Sequence, residues 1–287
     1  MMSTCPICEK SVIFYTNGRY HSEEINVTVP IYYCKKCNSF IKEIDDDIIL
    51  AYFKKLDSVY TDLKYEQESY NNRIEFYNHI YTLTKKHKNL IKNWLDYGCS
   101  YGHFIDFLSG KEILSYGIEI SDLRDYGNSK GLKIYKRFED LPQKMKFDVI
   151  SFIDSFYYSV TPKTLLREVF DLLYDDGLLV IRIVNRNWLV KFDKHIRKKE
   201  TCTALIDHAV GYSKKSILYL LKNNGFEILE TTFIEKGKYR SKRDNFLCFL
   251  ATFLHMISIG LINFLPGIII IARKNPNNIK SQKVVLD

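Results

Sequence analysis

The chain has 287 residues, enough for one full-sized domain and a small companion unit. Hydrophobic residues make up 46% and charged residues 26%, which excludes a chain too polar to fold and fits a soluble protein with a sizeable core. The net charge of +8 is gathered in patches at residues 85–88, 191–199 and 236–243; such patches attract phosphates, although each taken singly is also what a solvated loop looks like.

The N-terminal run MMSTCPIC lacks a charged start followed by an apolar stretch, so the expected location is the cytoplasm, where thiols stay reduced. Four of the seven cysteines fall into two CxxC pairs, Cys5-Pro-Ile-Cys8 and Cys34-Lys-Lys-Cys37. One pair places two thiolates on one side of an ion and the second supplies the other two, so the spacing predicts a tetrahedral zinc site on Cys5, Cys8, Cys34 and Cys37. Four thiolates close the coordination sphere, so the expected role is structural, in a small knuckle or ribbon over residues 1–44. Within it, β-like runs are expected at 12–15 and 25–33, with a turn at Asn17-Gly18.

Residues 45–92 read as helical and join the two units; Tyr70, Ile74, Tyr77 and Tyr81 fall on one apolar face. Tyr70 and Arg73 lie on the helix just before the next domain, where they could cover a ligand or simply pack.

From residue 93 strands and helices alternate. Strands are expected at 94–97, 113–120, 132–135, 147–153 and 178–184, with helices between them and a turn at Asp175-Asp176-Gly177. That alternation predicts an α/β domain over residues 93–287 with a mostly parallel sheet covered on both faces. Helix 213–223 is expected to start on the N-cap Ser213 and to stop at Asn224-Gly225, with a strand at 226–233 beyond it. A long apolar run, 246–271, is broken by Pro266-Gly267. It is long enough to cross a bilayer, but His255, Ser258 and Asn263 interrupt it. The expectation is a helical insert at about 244–266, packed on the domain or touching a membrane or partner, and then a last strand at 268–272 running antiparallel.

The segment Leu95-Asp96-Tyr97-Gly98-Cys99-Ser100-Tyr101-Gly102 carries the functional argument. A strand ends, the chain turns on Gly98, Gly102 leaves room for a ligand, and a helix opens. Glu119 stands near the end of the next strand, where an acidic group can accept from both hydroxyls of a ribose. The pattern lacks the glycines that press backbone against a pyrophosphate, which favours a ligand made of ribose and an amino acid.

These residues resemble the first motif of class I S-adenosylmethionine-dependent methyltransferases, with Ser100 where the family has its central glycine. Tyr116-Gly-Ile-Glu119-Ile-Ser121 resembles the second motif, and Arg137-Phe138-Glu139-Asp140 the loop that holds the adenine, with Arg137 where an Asp is usual. The stretches at 147–154, 175–181, 208–213 and 224–227 fit the same order, and the knuckle in front is similar to that of bacterial sugar-type methyltransferases. The resemblance implies a Rossmann-like fold and S-adenosylmethionine bound by Asp96, Tyr97, Gly98, Ser100, Gly102, Glu119, Ile120, Phe138, Glu139 and Asp154. It implies a small-molecule acceptor, a saccharide or a nucleotide- or lipid-linked sugar. The family often carries Glu-His after the fourth strand; this chain has Tyr157-Tyr158 there, leaving Asp154, Tyr158 and His208 as catalytic candidates. A nucleic-acid acceptor suits the knuckle and the charge, but no Asn-Pro-Pro-Tyr motif or aromatic-basic interleaving supports it. A non-catalytic binding module is the other alternative.

Overall fold

A computed structural model describes residues 2–21, 26–44, 63–199, 201–202, 204–205, 208–233, 249–250, 253–254, 257 and 267–275. Two sheets organise them. The larger has seven strands in the order β11-β12-β8-β7-β4-β5-β6. Five run parallel: β8 (Leu173–Val184), β7 (Phe147–Ile153), β4 (Asn93–Tyr97), β5 (Leu114–Ile118) and β6 (Ile134–Tyr135). The last strand, β12 (Gly267–Lys274), slots in antiparallel between β8 and β11 (Phe226–Thr232).

Strand β7 is buried along its whole length, as expected of a parallel strand covered on both faces. Alternation along β8 separates the two cores. Leu178 and Val180 pack with Tyr77, Ile80 and Leu83 of α1 (Leu63–Lys85) and Phe104 and Leu108 of α2 (His103–Ser109). Leu179, Ile181 and Ile183 face the other way, toward Leu166 and Val169 of α4 (Pro162–Leu172). A short α3 (Leu123–Ser129) precedes β6, and α5 (Asn187–His195) follows β8. Each fully buried aliphatic chain such as Leu166 contributes about 1.5–3 kcal/mol. Ser213 caps α6 (Lys214–Lys222), accepting from the Ser216 backbone N–H at 3.1 Å. Gly225 follows at φ 86°.

The smaller sheet differs from the sequence expectation in two ways. Strand β1 (Ile13–His21) runs straight through Asn17-Gly18, which pair with Pro30 and Val29 of β2 (Asn26–Cys34), so no turn forms there. Gly18 is small for packing: a Cβ would come within 2.7 Å of the Ile31 side chain. Nor does the unit end at residue 44. Its order is β10-β3-β2-β1-β9, so β3 (Ser39–Lys42) and β1 are flanked by β9 (Thr201–Cys202) and β10 (Val210–Gly211), lent by the chain that follows β8. The knuckle is thus completed by the larger domain.

Within that domain, the third strand of the parallel set is two residues long, and the Asp175-Asp176-Gly177 turn is a bulge inside β8, between the pairs Phe147–Leu173 and Val149–Leu178. Residues 45–62, and most of the apolar run at 246–266, lie outside the described residues. The described part of that run exposes Phe249, Leu250, Phe253 and Ile257. Among the described residues no helix is long and apolar enough to cross a membrane.

Candidate active site and metal centre

The parallel strands all end on one edge of the sheet, and the site is built there. Beyond Tyr97 the chain takes three positive φ angles at alternate residues: 75° at Gly98, 52° at Ser100 and 84° at Gly102. At Gly98 a Cβ would overlap that of Ser155, whose hydroxyl donates to the Tyr97 carbonyl. Ser100 holds a left-handed conformation that costs a non-glycine residue about 1–2 kcal/mol. The offsetting bond comes from Glu119: its Oε2 accepts the Ser100 backbone N–H at 2.7 Å and its Oε1 accepts that of Ser121 at 2.9 Å.

Asp96 lies one strand away and is 3% exposed. The Trp94 indole donates to Ser151 Oγ at 2.8 Å, and Ser151 in turn donates to Asp96 Oδ1 at 2.6 Å. Burial pushes the Asp96 carboxyl up to about 7; the Ser151 bond opposes the rise, the Glu119 charge adds to it and Arg73 counters it. Asp154 follows β7 at φ 63°, ion-paired to Arg182 of β8 and 3.9 Å from Arg73 of α1.

These groups surround one cavity of about 860 Å³. Asp96, Gly98, Ser100 and Glu119 form its floor, Arg73 and Tyr77 approach from α1, and Tyr157, Tyr158, Arg182 and Arg186 form the wall beyond Asp154. A hollow of this size takes a nucleoside-sized ligand together with a second small molecule.

Residues 69–231 match the family model described as "Methyltransferase domain". The chain belongs to that family. No curated protein matches the sequence. Among solved structures, the plantazolicin methyltransferase BpumL, in complex with a triazolic desmethylPZN analog and SAH, is similar at 16% identity. The match covers 80% of this chain and 98% of that one, with a TM-score of 0.50. An S-adenosylmethionine-dependent methyltransferase from Clostridium acetobutylicum matches at 14% identity over 80% and 98% of the two chains, with a TM-score of 0.49. A possible histamine N-methyltransferase from Thermotoga maritima matches at 17% over 79% and 100%, also at 0.49. At 16% identity and a TM-score of 0.50, the BpumL match speaks for the fold alone.

Not every residue that the sequence singled out reaches the methyltransferase's cavity. Asp96, Tyr97, Gly98, Ser100, Glu119, Ile120, Asp154 and Tyr158 line it. Gly102 does not: a Cβ there would meet Leu132 at 2.5 Å, so this glycine lets α2 sit against the β6 side of the sheet. Phe138 packs behind Tyr97, with ring centroids 5.0 Å apart, and Glu139 is exposed; Lys136 and Arg137 line that end instead. His208 is buried behind Tyr157, edge-on at 3.9 Å between centroids, so Tyr157 separates it from the cavity. Of the two α1 residues, Arg73 reaches the cavity, while Tyr70 packs on the His103 ring at 5.2 Å.

Sequence reasoning missed Ser151 and Arg182. Both left a signal: each is a polar residue flanked by buried apolar ones within its strand, which needs a partner inside the fold.

The four cysteines of the methyltransferase's smaller sheet come together. Their sulfurs all lie within 4.8 Å of one another, with Cys5 to Cys37 at 3.7 Å and Cys8 to Cys34 at 3.4 Å. Metal–sulfur bonds of about 2.3 Å in a tetrahedron separate the sulfurs by about 3.8 Å, so the set fits zinc. Both turns are built alike. The residue after each pair, Glu9 or Asn38, has φ 58°, and its N–H returns to the carbonyl of the first cysteine, at 2.9 Å for Cys5 and 2.8 Å for Cys34.

Proposed function

We propose that the cavity holds S-adenosylmethionine across Asp96 and Glu119 and transfers its methyl group in line to a small-molecule acceptor at the Tyr157-Tyr158 wall. The observation that carries this reading is that the two carboxylates, brought from neighbouring strands, open onto one hollow. When bound, the cofactor supplies a methyl group already activated by its sulfonium charge.

The chain's own residues supply position and charge. Glu119, fixed by two backbone amides, keeps lone pairs for the ribose hydroxyls. Asp96 lines the cavity with a buried carboxyl that suits a cationic ligand. Arg73, on α1, brings a guanidinium for the amino-acid carboxylate and closes that side against water. Asp154 is committed to Arg182, so taking up a proton there means giving up that ion pair; its fitting role is to set the wall. Tyr158 brings a hydroxyl to the cavity wall and is the candidate to take or relay the acceptor's proton.

The acceptor class we favour is a saccharide or a nucleotide- or lipid-linked sugar, in a cytoplasmic setting. Tyrosine faces suit a sugar ring, Arg186 suits a linked phosphate, and the cysteine knuckle in front resembles that of bacterial sugar-type enzymes. Incubation with a methyl-labelled donor and cell extracts fractionated by polarity tests this. Label in the sugar-phosphate or glycolipid fraction supports the assignment; label only in polymeric nucleic acid overturns it.

A further inference from the structure

Arg186 stands where the chain leaves the large sheet for the smaller one. It follows the end of β8, is the N-cap residue of α5 and lines the cavity. An arginine side chain is long and many-jointed, so it presents its fork at a fixed point only where its backbone and stem are held. The cysteine unit does the holding.

The next residue is the anchor. Asn187 is 7% exposed, and its Nδ2 donates to the Asn38 carbonyl at 3.2 Å. Asn38 closes the second CxxC turn and is clamped twice more. Its N–H donates to the Cys34 carbonyl at 2.8 Å, and its Oδ1 accepts from the Tyr33 hydroxyl at 2.9 Å. The Arg186 guanidinium itself reaches the Ala204 carbonyl at 3.5 Å, and Ala204 packs against the cluster that holds Ile31 and Phe40 of the smaller sheet. The Arg186 carbonyl accepts the N–H groups of Leu189 at 2.9 Å and Val190 at 3.2 Å, so the first turn of α5 moves with it.

Tyr157, on the same wall, is held from the same side. The Ala209 N–H donates to the Tyr157 carbonyl at 3.0 Å, and the Ala209 carbonyl accepts from the Lys42 N–H of β3 at 2.9 Å. Ser213 Oγ donates to the Cys37 carbonyl at 3.1 Å. We propose that Asn187 is a positioning residue for the acceptor end of the cavity: its side-chain amide fixes the start of α5 on the Cys34–Cys37 turn, so that metal binding at the cluster sets where Arg186 meets the acceptor. An anionic group on the acceptor, phosphate or carboxylate, is what such an arginine takes. This rests on the cavity as the methyl-transfer site and on the cluster as a metal centre.

The test is amide exchange followed by NMR on the full chain, zinc-loaded and chelator-stripped. The amides of Leu189 and Val190 report on Arg186 because both bond to its carbonyl. In wild type, stripping is expected to speed their exchange about 10-fold or more. Asn187→Ala is expected to show the fast rate with zinc bound, and stripping then adds nothing at these two amides while residues 201–202 and 210–211 still respond. Leu108→Ala, a core truncation on the opposite face of the sheet, is expected to keep the zinc response of Leu189 and Val190. S-adenosylhomocysteine binding, retained in both variants, shows that each is folded. A zinc response at Leu189 and Val190 that is absent from wild type, or that persists in Asn187→Ala, overturns the assignment, as does its loss in Leu108→Ala. Wild-type protein that takes up no zinc overturns the coupling together with the metal centre. Wild-type protein that fails to bind S-adenosylhomocysteine overturns the role at the cavity, whatever the exchange shows.

Discussion

Ser100 gives its backbone N–H to Oε2 of Glu119 across 2.7 Å, so the glycine-poor turn and the carboxylate beside it form one unit. Glu119→Gln tests that unit. An amide side chain has one accepting oxygen, so either Ser100 or Ser121 is left facing an NH2 group. Chemical denaturation is expected to show a loss of about 1–3 kcal/mol; an unchanged midpoint contradicts the bridge.

Gly98 and Ser100 share a backbone region but differ in surroundings. Gly98→Ala drives a Cβ into Ser155 at a φ of 75° and is expected to cost about 2–4 kcal/mol in thermal or chemical unfolding. Ser100→Gly removes the strain at φ 52° but loosens the unfolded chain, so its stability is expected to stay within about 1 kcal/mol of wild type. Equal effects would mean that packing against Ser155 does not set the turn.

Asp96 predicts a pH dependence. Its folded carboxyl is raised to about 7 from an ordinary 3.8, so its contribution to stability is fully present below about 4 and is lost as pH rises through 7. Asp96→Asn, which keeps an acceptor for Ser151, should therefore be more stable than wild type at pH 8, on the order of 3 kcal/mol. The gap is expected to close toward pH 4. Urea denaturation of the ligand-free protein at both pH values reads this, and a gap of the same size at each contradicts it.

The cysteine cluster predicts coupling across the two sheets. Cys34→Ser leaves three thiolates and is expected to abolish tight zinc binding and to lower the unfolding temperature. Because β9 and β10 belong to the same sheet, amide exchange should rise at 201–202 and 210–211 as well as at 26–42. Faster exchange confined to the first 42 residues contradicts a shared unit.

Much of this was legible beforehand because the signals were local. The run 147–153 is mostly apolar and is a central strand; the CxxC pairs converge; Ile268 to Ala272 do pair antiparallel within the sheet. What was hidden depends on distant partners. Nothing near Asn17-Gly18 announces that β1 continues through it, and nothing at 201–211 announces that two short strands complete the first sheet. His208 and Glu139 sit in the right order in the sequence, yet Tyr157 screens one from the cavity and solvent takes the other. Motif order fixes which strand end a residue is near, whereas packing decides which way it faces.

The most direct measurement is calorimetric titration of the folded protein with S-adenosylhomocysteine, in wild type and in Glu119→Ala. One-to-one binding in wild type, weakened about 100-fold or more by the loss of two charge-assisted ribose hydrogen bonds, is the predicted result. A well-folded wild type that gives no heat, or a Glu119→Ala variant that binds as tightly, contradicts a cofactor cradled between Asp96 and Glu119.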